Sequence, residues 1–171
     1  MALDALFAAC VDAAAQFYGH EPAQLWLIQK VEAGRPGLEM RNRDGSADLG
    51  PFQINDRAWV RHFAQKLDRP QTVIRAALKY DACFNAYAAG YILRLTIAQS
   101  GGDVWEGMGR YHSSTPALKA AYQQRLAAHY GTQASLRTEA EVTRRRQLQN
   151  ERLASATGAS DNLIRGRLPM R

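Results

Sequence analysis

The segment GSADLGPFQIN, residues 45–55, interrupts an otherwise helical pattern with a dense set of turn-forming residues. It belongs to a longer stretch, 41–55, that is rich in Asn, Asp, Gly and Ser and contains the strong turn signal Asp44-Gly45. We therefore expect a long loop or a small irregular β-hairpin over 41–55. The helical pattern before it ends near residue 33, so Glu32 should lie in the last helical turn and face whatever follows.

Apolar residues at helical spacing predict seven helices around this segment. Gly19 is placed to end the first helix, and Pro22 suits the first turn of the second. The chain has few β-branched runs and many Ala, Leu and Arg residues, which favours a mainly α domain. The predicted ranges are 3–18, 22–33, 57–67, 71–79, 81–99, 103–108 and 115–129.

The length and charge of the chain indicate one domain followed by a tail. The chain has 171 residues and a net charge of +6, and a domain of about 130 residues can bury a core of its own. We place the domain at 1–133 and a polar, helical or disordered tail at 134–171, whose excess of Arg over acidic residues supplies most of the positive charge. The tail is interpreted either as a solvated extension or as a contact for a partner or an anionic wall.

Several function classes have no support in the sequence. No apolar stretch of about 18 residues is present, so we expect no membrane span. The Cys and His residues lack the spacing of a zinc site, and we expect no metal or cofactor. The basic excess lies mostly in the tail and says little about a ligand of the domain. We expect no nucleic-acid partner, because nucleic-acid binding would leave the motif-rich segment 41–55 unexplained. Cys10 and Cys83 could be two buried thiols or one long-range disulfide, and the residues alone leave both open.

Glu32 is the acidic residue whose position suggests chemistry. It ends an apolar helix, where a carboxyl group packed against the helix face loses water and its pKa rises towards that of a general acid. The plainer alternative is a solvated Glu in a last helical turn.

Four segments together resemble the soluble lytic transglycosylase domain of the lysozyme superfamily. Residues 32–34 read Glu-Ala-Gly where the family has Glu-Ser-Gly, and 45–55 carry its Gly-Ser-x-Asp-x-Gly-x-x-Gln-Ile-Asn pattern. Residues 81–85 look like its Asp-Pro-Cys-x-Asn helix, and 111–113 like its Tyr-Asn/His-Ser/Ala segment. The segments occur in the family's order. The chain is most similar in these features to the small transglycosylases of type IV secretion, conjugation and related envelope-spanning machines.

This resemblance implies a helical fold like that of goose-type lysozyme and a specific reaction on peptidoglycan glycan strands. Glu32 matches the family's single catalytic Glu. It would protonate the glycosidic oxygen between N-acetylmuramic acid and N-acetylglucosamine, then take the proton from the C6 hydroxyl of the same muramic acid. The product would be a 1,6-anhydro sugar formed without water, with the substrate's N-acetyl group stabilising positive charge.

Other residues match the family's substrate site. Ser46 is expected near the N-acetyl group or the peptide-bearing side of the sugar, and Gln53 and Asn55 in the cleft beside the Glu. Tyr111 would hydrogen-bond Glu32 or a sugar. Each has a structural alternative, since loop Gln and Asn often satisfy buried backbone groups and Tyr111 could be plain core.

Two further matches are expected to be mainly structural. Asp48 would brace the loop, although as a second carboxylate it would permit hydrolysis through a bound water. Asn85 would tie a helix to the loop. The family also carries a Cys at each of the corresponding positions, which implies a Cys10–Cys83 disulfide and a periplasmic protein whose signal is absent from this sequence.

Two other functions compete with the transglycosylase. A hydrolytic muramidase would need the same acid at the same bond, and a non-catalytic scaffold on the same fold would only bind peptidoglycan. Retention of Glu32 with Ser46, Gln53 and Tyr111 argues against the scaffold.

Overall fold

A computed structural model of the chain describes residues 2–130, which form a mainly α domain with a small antiparallel sheet. The mainly α prediction is confirmed. The predicted tail at 134–171 and the boundary before it lie outside the described residues. The elements in chain order are α1 (Ala2–Tyr18), α2 (Pro22–Glu32), β1 (Glu39–Arg41), β2 (Ala47–Leu49), β3 (Ile54–Asn55), α3 (Asp56–Leu67), α4 (Gln71–Tyr80), α5 (Ala82–Gln99), α6 (Val104–His112) and α7 (Pro116–Tyr130).

The segment predicted as a loop or hairpin is a three-stranded sheet in the order β1-β2-β3. Met40 pairs with Asp48, and Asp48 pairs with Asn55 on its other side. The turn between β1 and β2 closes where the amide of Gly45 donates to the carbonyl of Asn42 at 3.0 Å. Gly45 has a φ of 82° there, a conformation that glycine adopts without steric cost. The sheet therefore includes a third strand of two residues that the turn signals did not predict.

α5 is the central helix of the domain, and most of its residues are buried. It packs against α1, α4 and α6. Gly90 permits the close approach of α1, because a Cβ atom there would lie 2.7 Å from the Tyr18 ring. Among residues 2–130, no helix is both long and apolar enough to cross a membrane.

α6 extends four residues beyond its predicted end and finishes at His112. Its two glycines allow neighbouring helices to pack closely along it. Gly107 lies directly against Ile97 of α5, and Gly109 lies against Lys119 and Gln123 of α7. Packing on both sides stabilises the last turn despite the low helix propensity of glycine, and it carries Tyr111 and His112 on a helix rather than a loop.

A disulfide joins Cys10 of α1 to Cys83 in the first turn of α5, with their Cα atoms 5.1 Å apart. The residues alone had left two free thiols as an alternative. The bond closes a loop with a sequence separation of 73 that contains α2 and the whole sheet. A disulfide is compatible with a periplasmic or secreted protein.

Replacing both Cys10 and Cys83 with Ala should lower the free energy of unfolding by about 4 kcal/mol, because the loop is long. Urea denaturation of the oxidised wild type and the double variant would measure this difference. Adding a thiol reductant should weaken the wild type and leave the double variant unchanged. Equal midpoints for the two oxidised proteins would contradict the prediction.

Candidate active site

The end of α2 lies directly on the loop between β2 and β3, and this contact positions Glu32. Ala33 takes a left-handed conformation with a φ of 50° and ends the helix through a hydrogen bond from its amide to the carbonyl of Gln29. A Cβ atom on Gly34 would collide with the carbonyl of Gly50 and lie 2.8 Å from that of Pro51. Only glycine allows this approach. Glu32 is therefore held beside the loop that the sequence had singled out.

The Glu32 carboxyl is almost buried, with 11% of its side chain exposed. Its pKa is raised to about 7, chiefly because burial removes water from the charged form, and the nearby charge of Asp48 adds to this. Interactions with Tyr122 and Arg125 of α7 lower the same pKa and only partly offset burial. Near neutral pH the carboxyl group can thus exist in both protonated and ionised forms, as a general acid and base requires.

His112, Tyr122 and Arg125 form a layered group beside Glu32 that sequence reasoning did not assign to the site. The rings of His112 and Tyr122 stack in parallel with centroids 4.7 Å apart and an angle of 2°. The Arg125 guanidinium lies 5.0 Å from the Tyr122 ring centroid. His112 Nδ1 lies 4.0 Å from Glu32 Oε1. The buried Tyr122 hydroxyl interacts with the Glu32 carboxyl but makes no hydrogen bond of standard geometry within residues 2–130.

Tyr111 was expected to hydrogen-bond Glu32 or a sugar, and in the structure its hydroxyl bonds to the β2–β3 loop rather than to Glu32. Its hydroxyl donates to the carbonyl of Phe52 at 3.1 Å. Burial raises the pKa of Tyr111, and the charges of Glu32 and Asp48 raise it further. The Tyr111 side chain therefore stays neutral, braces the loop and lies within electrostatic range of both carboxyl groups.

Ser46 is buried inside the hairpin, with only 4% of the residue exposed. Its hydroxyl donates to Asp44 at 2.7 Å and accepts from the amides of Asn42 at 3.1 Å and Asn55 at 3.0 Å. These three bonds use the hydrogen-bonding capacity of the Ser46 hydroxyl within the sheet and its turn. In this arrangement Ser46 supports the hairpin, and its expected place near the sugar stays a prediction.

Asn55 connects three elements. Its side-chain amide donates to Ser46 and, at 2.9 Å, to Asp48 Oδ1. Its side-chain oxygen accepts from the amide of Ala58 and caps α3. Asp48 is held in place by this bond, and its charge influences Glu32, Tyr111 and His112. A second carboxylate is therefore present in the electrostatic environment of the first.

The side chains of Gln53, within the β2–β3 loop, and of Asn85, on α5, both hydrogen-bond to the backbone of this loop. Gln53 has a φ of 47°, and its side chain donates to the carbonyl of Gly50 at 2.7 Å. Asn85 is fully buried. It donates to the carbonyls of Leu49 at 3.0 Å and Leu78 at 2.7 Å, and it accepts from the amide of Phe52 at 2.9 Å.

In the described part of the chain, no group of three or more His, Cys, Asp or Glu side chains is arranged to hold a metal ion. The site consists of the end of α2, the sheet with its β2–β3 loop, and the facing turns of α6 and α7. Of the predicted site residues, Glu32, Asp48 and Tyr111 interact electrostatically. Ser46, Gln53, Asn55 and Asn85 form the hydrogen-bonded support of the sheet and loop.

Comparison with curated proteins finds relatives named for invasion. The chain is 28% identical to the invasion protein IagB of Salmonella typhimurium over 128 residues, which cover 74% of this chain and 76% of the relative. The figures are the same for the invasion protein IagB of Salmonella typhi. No family model matches the chain, and no solved structure matches it.

The raised pKa of Glu32 predicts that this carboxyl destabilises the fold at alkaline pH. The folded state binds the Glu32 proton more tightly than the unfolded state does. The protonated carboxyl therefore makes its full contribution to stability below about pH 4.5, and this contribution is lost as the pH rises through about 7. Glu32→Gln should therefore be more stable than wild type by about 2–3 kcal/mol at pH 8, with the difference shrinking towards pH 4.5. Denaturant unfolding across this pH range measures it.

Glu39→Gln provides a control of opposite sign. Hydrogen bonds from Arg75 and Lys79 lower the pKa of Glu39 to about 2, so its contribution is present above about pH 4.5 and is lost as the pH falls towards 2. Glu39→Gln should be less stable than wild type at pH 7. A Glu32→Gln variant that is less stable than wild type at pH 8 would refute the account of Glu32.

Proposed function

We propose that the protein is a peptidoglycan lytic transglycosylase that uses Glu32 as its general acid and base. The observation that carries this proposal is a single carboxyl, nearly buried yet reaching solvent, whose pKa of about 7 suits both roles. Its substrate would be the β-1,4 bond between N-acetylmuramic acid and N-acetylglucosamine, as the resemblance of the four segments implies.

The reaction requires the same carboxyl in two protonation states. Protonated Glu32 donates its proton to the glycosidic oxygen as the bond to C1 breaks, and the N-acetylglucosamine leaves with a new hydroxyl. The ionised carboxylate then takes the proton of the C6 hydroxyl as its oxygen bonds to C1. Glu32 ends protonated again, no water is consumed, and the product is a 1,6-anhydro sugar.

Burial of Glu32 supports both steps. A desolvated carboxyl retains its proton near neutral pH and can give it to the leaving oxygen. Once ionised, the same poorly hydrated carboxylate is a stronger base than one in water. The substrate's own N-acetyl group would stabilise the positive charge at C1, so a second protein carboxylate is not required.

We further propose that this activity remodels the cell wall for a secretion, conjugation or related envelope machine in the periplasm. The disulfide supports an oxidising compartment. The Salmonella relatives are named for invasion, which accords with such an association.

Hydrolysis is the second candidate, and the electrostatic influence of Asp48 on Glu32 favours considering it. In that reaction Asp48 would take part as the second carboxylate of a muramidase. Its hydrogen bond with Asn55 instead suits a loop-bracing role. The two reactions cleave the same bond and differ only in the product.

Wild-type protein should release anhydro-muropeptides from purified peptidoglycan. The rate of this release should fall by ~10²–10⁴-fold or more in Glu32→Gln. Mass spectrometry of the soluble products measures both. Glu21→Gln, at the other end of α2, is the matched control and should retain activity.

Each other outcome has a distinct meaning. Reducing-end products heavier by one water would identify a muramidase and bring Asp48 into the mechanism. If wild-type protein binds peptidoglycan but releases nothing, the enzyme proposal fails and a binding scaffold replaces it.

The pH dependence should follow the protonation of Glu32. Because the free enzyme must carry the proton, kcat/KM should fall tenfold per pH unit above a midpoint near pH 7. Initial rates measured between pH 5 and pH 9 on a soluble glycan fragment would test this. A rate that already falls tenfold per pH unit from pH 5 upwards, as for a carboxyl of ordinary pKa, would refute the raised pKa of the general acid.

A further inference from the structure

The Glu32 carboxyl faces two polar groups on the helical side of the site, the Tyr122 hydroxyl and Nδ1 of His112. The Tyr122 hydroxyl is buried. The His112 ring is different, because 37% of its side chain is exposed while Nδ1 lies 4.0 Å from Glu32 Oε1. That distance is about 1 Å longer than an N–H···O hydrogen bond, and a ring movement of that size would close it.

A stacking contact defines the plane of the His112 ring. The ring lies flat on Tyr122, with centroids 4.7 Å apart and an angle of 2° between the planes. Movement within this plane keeps the stacking contact and still changes the distance from Nδ1 to the carboxyl. Contacts of catalytic groups are often long before substrate binds and shorten during the reaction.

Several other groups determine the electrostatic environment of Glu32 and His112. From α7, Arg125 acts on both Glu32 and His112, and from β2, Asp48 acts on both in the opposite sense. On α6, the charge of Glu32 raises the pKa of Tyr111, whose hydroxyl donates a hydrogen bond to the carbonyl of Phe52. Burial first, and Arg125 second, lower the pKa of His112. The ring is therefore neutral at the pH where Glu32 titrates, and it can act as a hydrogen-bond donor.

We propose that His112 is a positioning residue for Glu32, whose Nδ1–H turns to the carboxylate during catalysis and stabilises its ionised form. This role rests on the proposed function, in which Glu32 must lose its proton to the leaving group and then act as base. Burial disfavours the ionised form of Glu32, and the Nδ1–H of His112 would donate to the carboxylate only once that form appears. His112 would thereby make the first proton transfer easier without touching the sugar.

The first test uses the wild-type protein and needs no activity. Nitrogen-15 NMR of the His112 ring at pH 8.5, where Glu32 is ionised, should show the tautomer with hydrogen on Nδ1. A ring with hydrogen only on Nε2 at that pH would overturn the proposal, because Nδ1 could not donate.

The second test compares His112→Phe with His112→Asn. A phenyl ring can keep the stacking on Tyr122 but has no donor, so the pKa of Glu32 measured by carbon-13 NMR should rise by about one unit. The kcat should fall about tenfold with little change in KM, and the alkaline limb of the kcat/KM profile should move upward with the pKa. Asn offers an N–H donor, so His112→Asn should restore most of the wild-type kcat and most of the wild-type Glu32 pKa.

An unchanged Glu32 pKa in folded His112→Phe would overturn the positioning role, since a purely structural ring would leave it unmoved. If His112→Phe does not fold, the wild-type tautomer decides. Failure of the proposed function is recognised separately. Wild-type protein would then release no anhydro-muropeptides, although the tautomer and the pKa shift could still be as expected.

Discussion

The buried side-chain amide of Asn85 sustains the geometry of the whole site. Its three hydrogen bonds fix the end of β2, the end of α4 and the amide of Phe52 at one point in the first turn of α5. Replacing this amide with an apolar group would leave three buried backbone groups without partners, at about 1–3 kcal/mol each. From this anchor the loop can present one side to α2 and the other to α6.

Each further contact of the site depends on the loop held in this way. Gly34 packs on the carbonyls of Gly50 and Pro51, which places the end of α2 and hence Glu32. The carbonyl of Phe52 accepts from Tyr111, which joins the last turn of α6 to the loop. His112 follows Tyr111 in that turn and lies beside the carboxyl. The disulfide adds a covalent tie from Cys83, two residues before Asn85, to α1.

The sequence predicted the local features well because they depend on short-range rules. Helical periodicity and the residues at helix ends located seven helices, and turn residues located the hairpin. The end of α6 was missed because it depends on Gly107 and Gly109 packing against other helices. The third strand was missed because two residues carry no alternation pattern. Motif resemblance, rather than periodicity, brought Glu32 and the loop together.

The part of the site formed by α7 could not be predicted from such short-range rules. Tyr122 and Arg125 lie on a helix whose pattern only predicts burial of one face, and about 90 residues separate them from Glu32. For Ser46 the family match implies a place near the substrate, and tertiary packing adds a structural role, since its hydroxyl bonds to Asp44 and Asn55. A motif identifies which residues belong to a site, but the hydrogen-bond partners that decide their roles come from tertiary packing.

The position of Glu32 reflects two opposing requirements. A carboxyl in water would be ionised at neutral pH and could not donate a proton, whereas one sealed in an apolar core could not give its proton up. Here burial dominates and raises the pKa to about 7, while Tyr122 and Arg125 limit the rise. These partners come from α7, and Asp48, whose charge raises the pKa, comes from β2, so two separately anchored parts of the fold set one proton affinity. The pKa of Glu32 near neutrality is therefore a property of how the helices dock on the sheet and its loop.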